Sequence, residues 1–536
     1  MQRPATLRAV WLLPIVVVAM YLVTLVVRLR TLLATTYLSA DSASAPVIGE
    51  LFDGRGPHSI VTLGHVPWFS TLLFELGTRW MPLHRQIWEG APYLLALLSA
   101  ALVAWGAWRV YGRWAGAMSL AIMVCAGPSM LALMLTLNDH APTWFTLAVI
   151  GAFLVLVEDR AETVSAAMLG LLAVGVGVVV GANGASDSLV SLSGAAPLLL
   201  AVTATCSFYP SRRSARAAGF ALVACVVGLL VGHGVALAMH HANVNAATDP
   251  RTSLLVGAES VGGNFKLWWE SLAVLGNGNF FGLSVGFSAV LAFACAALTL
   301  GAVLIIPRIC RSELGIALAA RASQRRTTAR EGARLAWVLY WTASAVLLSI
   351  AFIFSDAPED LGSSRYLAGV IYAAAALVPL LGTGVVTRAI VTAGVVVYAF
   401  AGWLSLAQNR ITPPASPNDQ IINTIAQIAR HEHLTVGYAG YWDAAPITWS
   451  THMRLRVFPV DDCDGNQHLC GFELHLITSW YTPRPHTRTF LLSDTTYPAV
   501  PSSPTPDLGK PLAIHQIGPV TMYVYSYDIA SKLFAL

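Results

Sequence analysis

Residues 284–306 read SVGFSAVLAFACAALTLGAVLII, 23 positions without a charge, closed by Pro307 and Arg308. That length matches the ~20 apolar residues a helix needs to cross a bilayer core. The run is apolar all round rather than at amphipathic spacing, so it has no face to turn to water. Comparable runs lie near 10–27, 89–108, 115–136, 141–157, 163–182, 189–207, 217–238, 335–354, 366–386 and 389–407. Together they predict about eleven spans.

The whole chain agrees with this reading. Of its 536 residues 56% are hydrophobic, and the mean hydropathy is +0.63. Only 32 Lys+Arg and 28 Asp+Glu are present, 11% of the chain, where a soluble domain carries roughly 25%. A soluble enzyme, a disordered chain and a transmembrane barrel are excluded. A net charge of +4 gives no reason to expect a nucleic-acid partner. None of the three lysines, Lys266, Lys510 and Lys532, closes a Gly-rich phosphate loop, which argues against ATP-driven transport. Carboxylates are scarce in mid-span, where ion-coupled transporters keep them. His233 is the main polar exception.

Arginines set the orientation. Alternate loops carry Arg109 and Arg113; Arg160; Arg212, Arg213 and Arg216; seven arginines from Arg308 to Arg334; and Arg388. The positive-inside rule places these loops and the N-terminus in the cytoplasm. An odd number of spans then puts the C-terminus outside. The expectation is a multi-pass protein of the inner or plasma membrane, in contact with membrane lipids.

Long outer loops fall at about 31–86 and 240–283. The first holds an amphipathic stretch at 66–74, suited to the interface. The second holds Trp268 and Trp269, suited to the headgroup level. The membrane domain covers residues 1–408, a Pro/Ser linker 409–418, and a polar extracytoplasmic domain 419–536. In that domain Ile421, Ile422, Ile425 and Ile428 share one helix face, capped by Asn418 or Asp419. Strand-like runs follow at 434–438, 455–460, 489–492 and 520–525. The fold class is an all-α polytopic membrane protein with a small C-terminal α/β domain.

Polar chemistry gathers at the outer ends of spans. Asp41 follows the first span, Asp139 and His140 join the third to the fourth, Asp187 opens the sixth, and Arg365 and Tyr366 open the tenth. Each has a plain reading as a helix cap, a polar turn or a snorkelling arginine. Together they suit a reaction at a lipid phosphate. A carboxylate can take a proton from an attacking hydroxyl, and a guanidinium can bind a departing phosphate bidentately.

This arrangement resembles the GT-C superfamily of membrane glycosyltransferases, in particular bacterial members of the protein mannosyltransferase and aminoarabinose transferase group. The resemblance rests on topology, on Asp41 after span one, on Asp139 as a second acidic position, and on Arg365-Tyr366-Leu367 at a late span. The stretch Tyr438-Ala439-Gly440-Tyr441-Trp442-Asp443-Ala444-Ala445-Pro446 adds to it. Asp41 is followed by Ser42, whereas protein O-mannosyltransferases usually carry Asp-Glu there. The resemblance implies transfer of a sugar from a polyprenyl-phosphate donor to an envelope glycan, lipid or protein acceptor on the outer face. It implies Asp41 as general base, Asp139 or His140 orienting the acceptor or holding a metal, and Arg365 on the leaving phosphate. Tyr366, Asp187, His65 and Trp442 are further candidates for substrate binding. No cofactor is required by any motif, and a divalent metal ion is the one candidate.

Cys463 and Cys470 bracket a polar loop, Asp461 to Cys470. A disulfide is the favoured reading in an oxidising compartment, with a metal loop the alternative. The competing functions are a lipid or envelope-precursor transporter and a non-catalytic membrane scaffold.

Overall fold

The computed structural model describes residues 5–36, 38–56, 58–63, 68–78, 80–136, 140–246, 255–325, 328–408, 418–463, 468–497, 499–501 and 506–534. In chain order the helices begin with α1 (Ala5–Thr36), α2 (Ala40–Leu51), α3 (Trp68–Thr78), α4 (His84–Tyr111), α5 (Arg113–Val124) and α6 (Pro128–Leu135). Next come α7 (Ala141–Arg160), α8 (Ala166–Gly184), the short α9 (Ser188–Val190), α10 (Ala196–Phe208), α11 (Arg212–His241) and α12 (Ala258–Leu275). Then follow α13 (Phe287–Ala322), α14 (Ala329–Phe354), α15 (Ala368–Leu377), α16 (Val385–Ala407), α17 (Asp419–His431) and α18 (Tyr441–Ser450).

The chain divides into two compact units. The helical unit comprises Met1–Arg28, Ala91–Val235 and Asp249–Ile411. Among the described residues ten helices are long and apolar enough to cross a membrane, and α5 with α6 form one further pair bent by 86°. The bend falls at Gly127-Pro128, where proline ends the hydrogen-bond ladder. Arg109 pairs with Asp159, so α4 and α7 finish at the same end of the bundle. Because α7 starts at the opposite end, α5 and α6 together carry the chain across. The expected span at 115–136 is therefore one broken stretch, which makes eleven candidate spans among the described residues.

The arginine end is cross-linked. Arg334 donates to Tyr111 Oη at 2.8 Å and pairs with Glu313, and Arg330 Nε donates to the Val110 carbonyl at 3.0 Å. Between the ends, small residues let backbones approach. A Cβ at Gly177 or Gly181 of α8 would collide with carbonyl oxygens of α11, which is the close packing a small-xxx-small pair permits. Trp144, Trp337, Trp341 and Tyr340 fill the core. Ser344 Oγ donates to the Ser193 carbonyl at 2.6 Å, inside a π-turn at Ser191–Ala195 that opens the ladder for it.

The second unit is discontinuous: Leu29–Gly90, Ala236–Thr248 and Thr412–Leu536. It thus extends beyond the contiguous 419–536 of the sequence reading. Its main sheet has six strands in the order β5-β4-β3-β7-β9-β8. They are β3 (Val436–Ala439), β4 (Arg456–Asp462), β5 (Leu469–Gly471), β7 (Thr489–Asp494), β8 (Ala513–Ile517) and β9 (Val520–Tyr525). β3 runs parallel to β4 and β7, and α18 makes the β3–β4 crossover. A second sheet joins β1 (Val61–Leu63), β2 (Val244–Ala246) and β6 (Leu476–Ile477). β1 and β2 are the loop segments that tie the outer loops into this unit; three-residue strands carry too little pattern to be read from sequence. The helix at 419–431 forms as its isoleucine stripe predicts. Asn418 Oδ1 caps it by accepting from Ile421 N at 3.0 Å, and Ile421, Ile422 and Ile425 are buried.

The stretch 240–283, expected as one outer loop, divides between the two units. Its strand β2 joins the second unit, whereas α12 packs into the helical unit with Asn264 donating to the Ile353 and Ser355 carbonyls. Trp268 is buried in that core rather than turned outward to headgroups.

Candidate functional site

In the second unit α2 begins at Ala40, with Ser39 at the cap position, so Asp41 is not the cap. It sits in the first turn, where the helix dipole favours a negative charge. Tyr441 Oη donates to Asp41 Oδ1 at 2.6 Å. Tyr441 is the first residue of α18, and its ring stacks on Phe472 at 4.8 Å and on His475 at 5.0 Å. Aromatic rings thus fix the phenol that fixes the carboxylate. Trp442, the next residue, is 39% exposed and lies 5.9 Å from the Tyr497 ring.

The residue after Trp442, Asp443, is buried beside the buried Asp494. Burial first, and the neighbouring Asp494 carboxylate second, push its pKa up to about 8. Two carboxylates in one desolvated place cannot both ionise, so the pair holds a proton at neutral pH. The sequence signal was present in Tyr441-Trp442-Asp443, but the partner lies 51 residues away and no local pattern points to it.

A third group was missed entirely. Glu50 of α2, Glu75 of α3 and His84 of α4 bring donor atoms within 4.8 Å of one another. His84 Nε2 lies 2.8 Å from Glu75 Oε1 and 3.4 Å from Glu50 Oε1. Gly49 makes this possible, since a Cβ there would collide with the Glu75 side chain. Two carboxylates and an imidazole suit a divalent cation. Glu75 and His84 are separated by a turn, and neither matches a metal-ligand spacing.

In the helical unit the end opposite the arginines gathers four predicted residues. Asp187 caps α9 by accepting from Leu189 N at 2.9 Å. It also accepts from Thr143 Oγ1 and, at 2.6 Å, from His140 Nδ1. The cap reading of Asp187 is therefore right and incomplete. His140 has φ +66°, in the left-handed region, and is 1% exposed. Its Nε2 has no hydrogen-bond partner among the described residues. The His140 ring meets the Tyr366 ring edge-on at 5.3 Å, and the Arg365 guanidinium lies over the Tyr366 ring at 5.3 Å. Asp187, His140, Tyr366 and Arg365 form one continuous series of contacts. Asp139 and His65 lie outside the described residues.

Cys463 and Cys470 are joined as a disulfide, with Cα atoms 5.6 Å apart. The loop between them lies outside the described residues, and His468 pairs with Asp507 at 2.6 Å.

No family model matches the sequence, and no curated protein matches it. Solved structures do. ArnT from Cupriavidus metallidurans in the apo state superposes with a TM-score of 0.51 at 15% identity, over 97% of this chain and 100% of that one. The same protein bound to undecaprenyl phosphate gives 0.50 at 14% identity, over 96% and 99%. An archaeal oligosaccharyltransferase, AglB from Archaeoglobus fulgidus in complex with an inhibitory peptide and a dolichol-phosphate, matches at 14% identity and a TM-score of 0.43, over 82% and 64%. The fold is that of the ArnT structure. At this level of identity the likeness to ArnT is one of fold along the whole chain.

Proposed function

We propose that this chain is a membrane glycosyltransferase that moves a sugar from a polyprenyl-phosphate donor to a cell-envelope acceptor. The observation that carries the reading is the Asp41–Tyr441 hydrogen bond, on a chain with the ArnT fold. An acid in the first turn after span one, steered by a phenol that is itself clamped by two rings, is built as a positioned base. In this reading Asp41 takes the proton of the acceptor hydroxyl as its oxygen attacks the anomeric carbon. Arg365 binds the phosphate that departs, and Tyr366 holds the guanidinium. His140, with its proton fixed on Nδ1 by Asp187, presents Nε2 as an acceptor for a substrate hydroxyl. Trp442 stacks on a sugar. That one ArnT structure holds undecaprenyl phosphate supports a lipid phosphate as the donor's carrier.

Glu50, Glu75 and His84 are the residues that would hold a divalent cation, whose chemistry there is neutralisation of phosphate charge. The arginine end is the cytoplasmic one in this reading, as the positive-inside rule requires. An alkaline phosphatase fusion after Leu536 should be active; an active cytoplasmic reporter there would reverse the orientation.

The test is incubation of purified protein with a panel of labelled polyprenyl-phosphate sugars and envelope acceptors. Label should appear in an acceptor with wild type and fail to appear with Asp41→Asn. Movement of labelled lipid between leaflets without any transfer would favour the transporter.

A further inference from the structure

The arginine end of the helical unit contains a cavity of about 420 Å³ with no part in the reading above. It opens between the end of α10, the start of α11 and the end of α13. Its walls include Tyr209, Ser211, Arg213, Arg321, Gln324 and Arg325. The 21-residue apolar stretch Ser188–Phe208 ends at the cavity and α11 begins at Arg212, which puts that wall where a span gives way to headgroups, while α13 runs on past its apolar stretch 284–306 to reach the cavity near Ala322.

The charges around it do not balance. Arg213 acts electrostatically on Glu158, which is fully buried and whose two carboxylate oxygens have no hydrogen-bond partner among the described residues. Arg325 pairs with Glu331 at 2.5 Å. Arg321 has no ion-pair partner among the described residues. Among the described residues Arg321 is thus the cavity guanidinium with no carboxylate paired to it. Nearby, Arg334 is matched by Glu313, and Arg330 is bonded to a carbonyl. Arg212 and Arg216 are exposed on α11.

A phosphodiester carries one negative charge, and its planar-fork partner is a guanidinium. Ser211 and Gln324 add neutral hydrogen-bonding groups at the rim, suited to a glycerol hydroxyl, and the buried Tyr209 forms part of the wall. Basic pockets between spans at headgroup level are how helical membrane proteins hold acidic lipids. We propose that this cavity binds the headgroup of an anionic phospholipid. The site lies at the opposite end of the unit from His140, Asp187 and Arg365, and it stands whether or not the chain transfers sugars. Its occupant would clamp the α10–α11 turn against the end of α13.

The test uses the full-length protein in detergent and native mass spectrometry, with dioleoyl-phosphatidylglycerol, dioleoyl-phosphatidylcholine and inorganic phosphate as probes. Wild type should retain one phosphatidylglycerol at least about tenfold more tightly than phosphatidylcholine, the factor that one charge-assisted contact supplies. The double variant Arg213→Gln/Arg321→Gln should lose that preference, and so in part should Arg321→Gln alone, an exposed position whose change leaves the packing intact. Arg216→Gln, outside the cavity, should keep it. Equal retention of both lipids, or unchanged preference in Arg321→Gln and the double variant, would overturn the proposal. Binding of inorganic phosphate that displaces phosphatidylglycerol would reassign the cavity to a soluble anion and overturn the lipid as well.

Discussion

His140 Nδ1 lies 2.6 Å from Asp187 Oδ2, across 47 residues of sequence, with both side chains buried. The carboxylate accepts three hydrogen bonds in all, from His140, Thr143 and Leu189 N. This ties the α7 start to the α9 start and fixes the imidazole tautomer. Replacing Asp187 with Asn keeps the cap but offers His140 an amide that cannot match the charge. Sugar transfer should fall about tenfold to hundredfold, as for lost orienting partners elsewhere, while helix content and expression hold. Turnover of Asp187→Asn against wild type checks this; wild-type turnover would leave Asp187 as a cap alone.

The Asp41–Tyr441 pair separates a base from the group that positions it. Asp41→Asn removes the proton acceptor and should lower turnover by about 10²–10⁴. Tyr441→Phe keeps the carboxylate and the ring stack on Phe472 and His475, and loses the hydroxyl that donates to Asp41. It should cost about tenfold, chiefly in kcat, through looser positioning. Equal losses for the two variants would show that Tyr441 touches substrate.

The membrane spans were legible because the bilayer demands ~20 apolar residues from each, and 284–306 alone states that demand. The helix at 419–431 was legible because its isoleucines share a face. The break at Gly127-Pro128 was carried by that Gly-Pro pair, but the apolar run continues on both sides of it and reads as one span. The site was half legible. Asp41, His140, Asp187 and Arg365 stand out as polar residues at span ends. The groups around them do not: the Tyr441 hydroxyl reaches Asp41 from 400 residues away, and Asp443 of α18 meets Asp494 at the end of β7. Glu50, Glu75 and His84 meet only because Gly49 admits α3 against α2.

That carboxylate–imidazole group makes a prediction readable without any substrate. Purified wild type, incubated with Zn²⁺ or Mn²⁺ and desalted, should retain about one ion per chain by elemental analysis, as a three-donor site with one open position does. Glu75→Gln/His84→Asn should retain none while keeping its helix content. Equal metal in both, or none in wild type, would make the group a buried ion pair.

Asp443 gives the protein a pH-dependent stability of a definite sign. Its pKa in the folded unit is raised to about 8 by burial and by Asp494, against roughly 3.9 for an unfolded aspartate. Between these values the folded state binds the proton that the unfolded state has released. The contribution is therefore fully present below the lower value and is lost as pH rises through the higher one. In that window this one group should lower stability by about 1.4 kcal/mol per pH unit. Thermal unfolding of the full-length protein in detergent, followed by Tyr and Trp fluorescence from pH 5 to 9, should show a falling midpoint. Asp443→Asn carries no titrating proton and can still donate to Asp494, so its profile should be flatter across the same range. A wild-type midpoint that rises with pH, or a variant with the same slope, would mean that the two carboxylates ionise independently and that α18 does not depend on their shared proton.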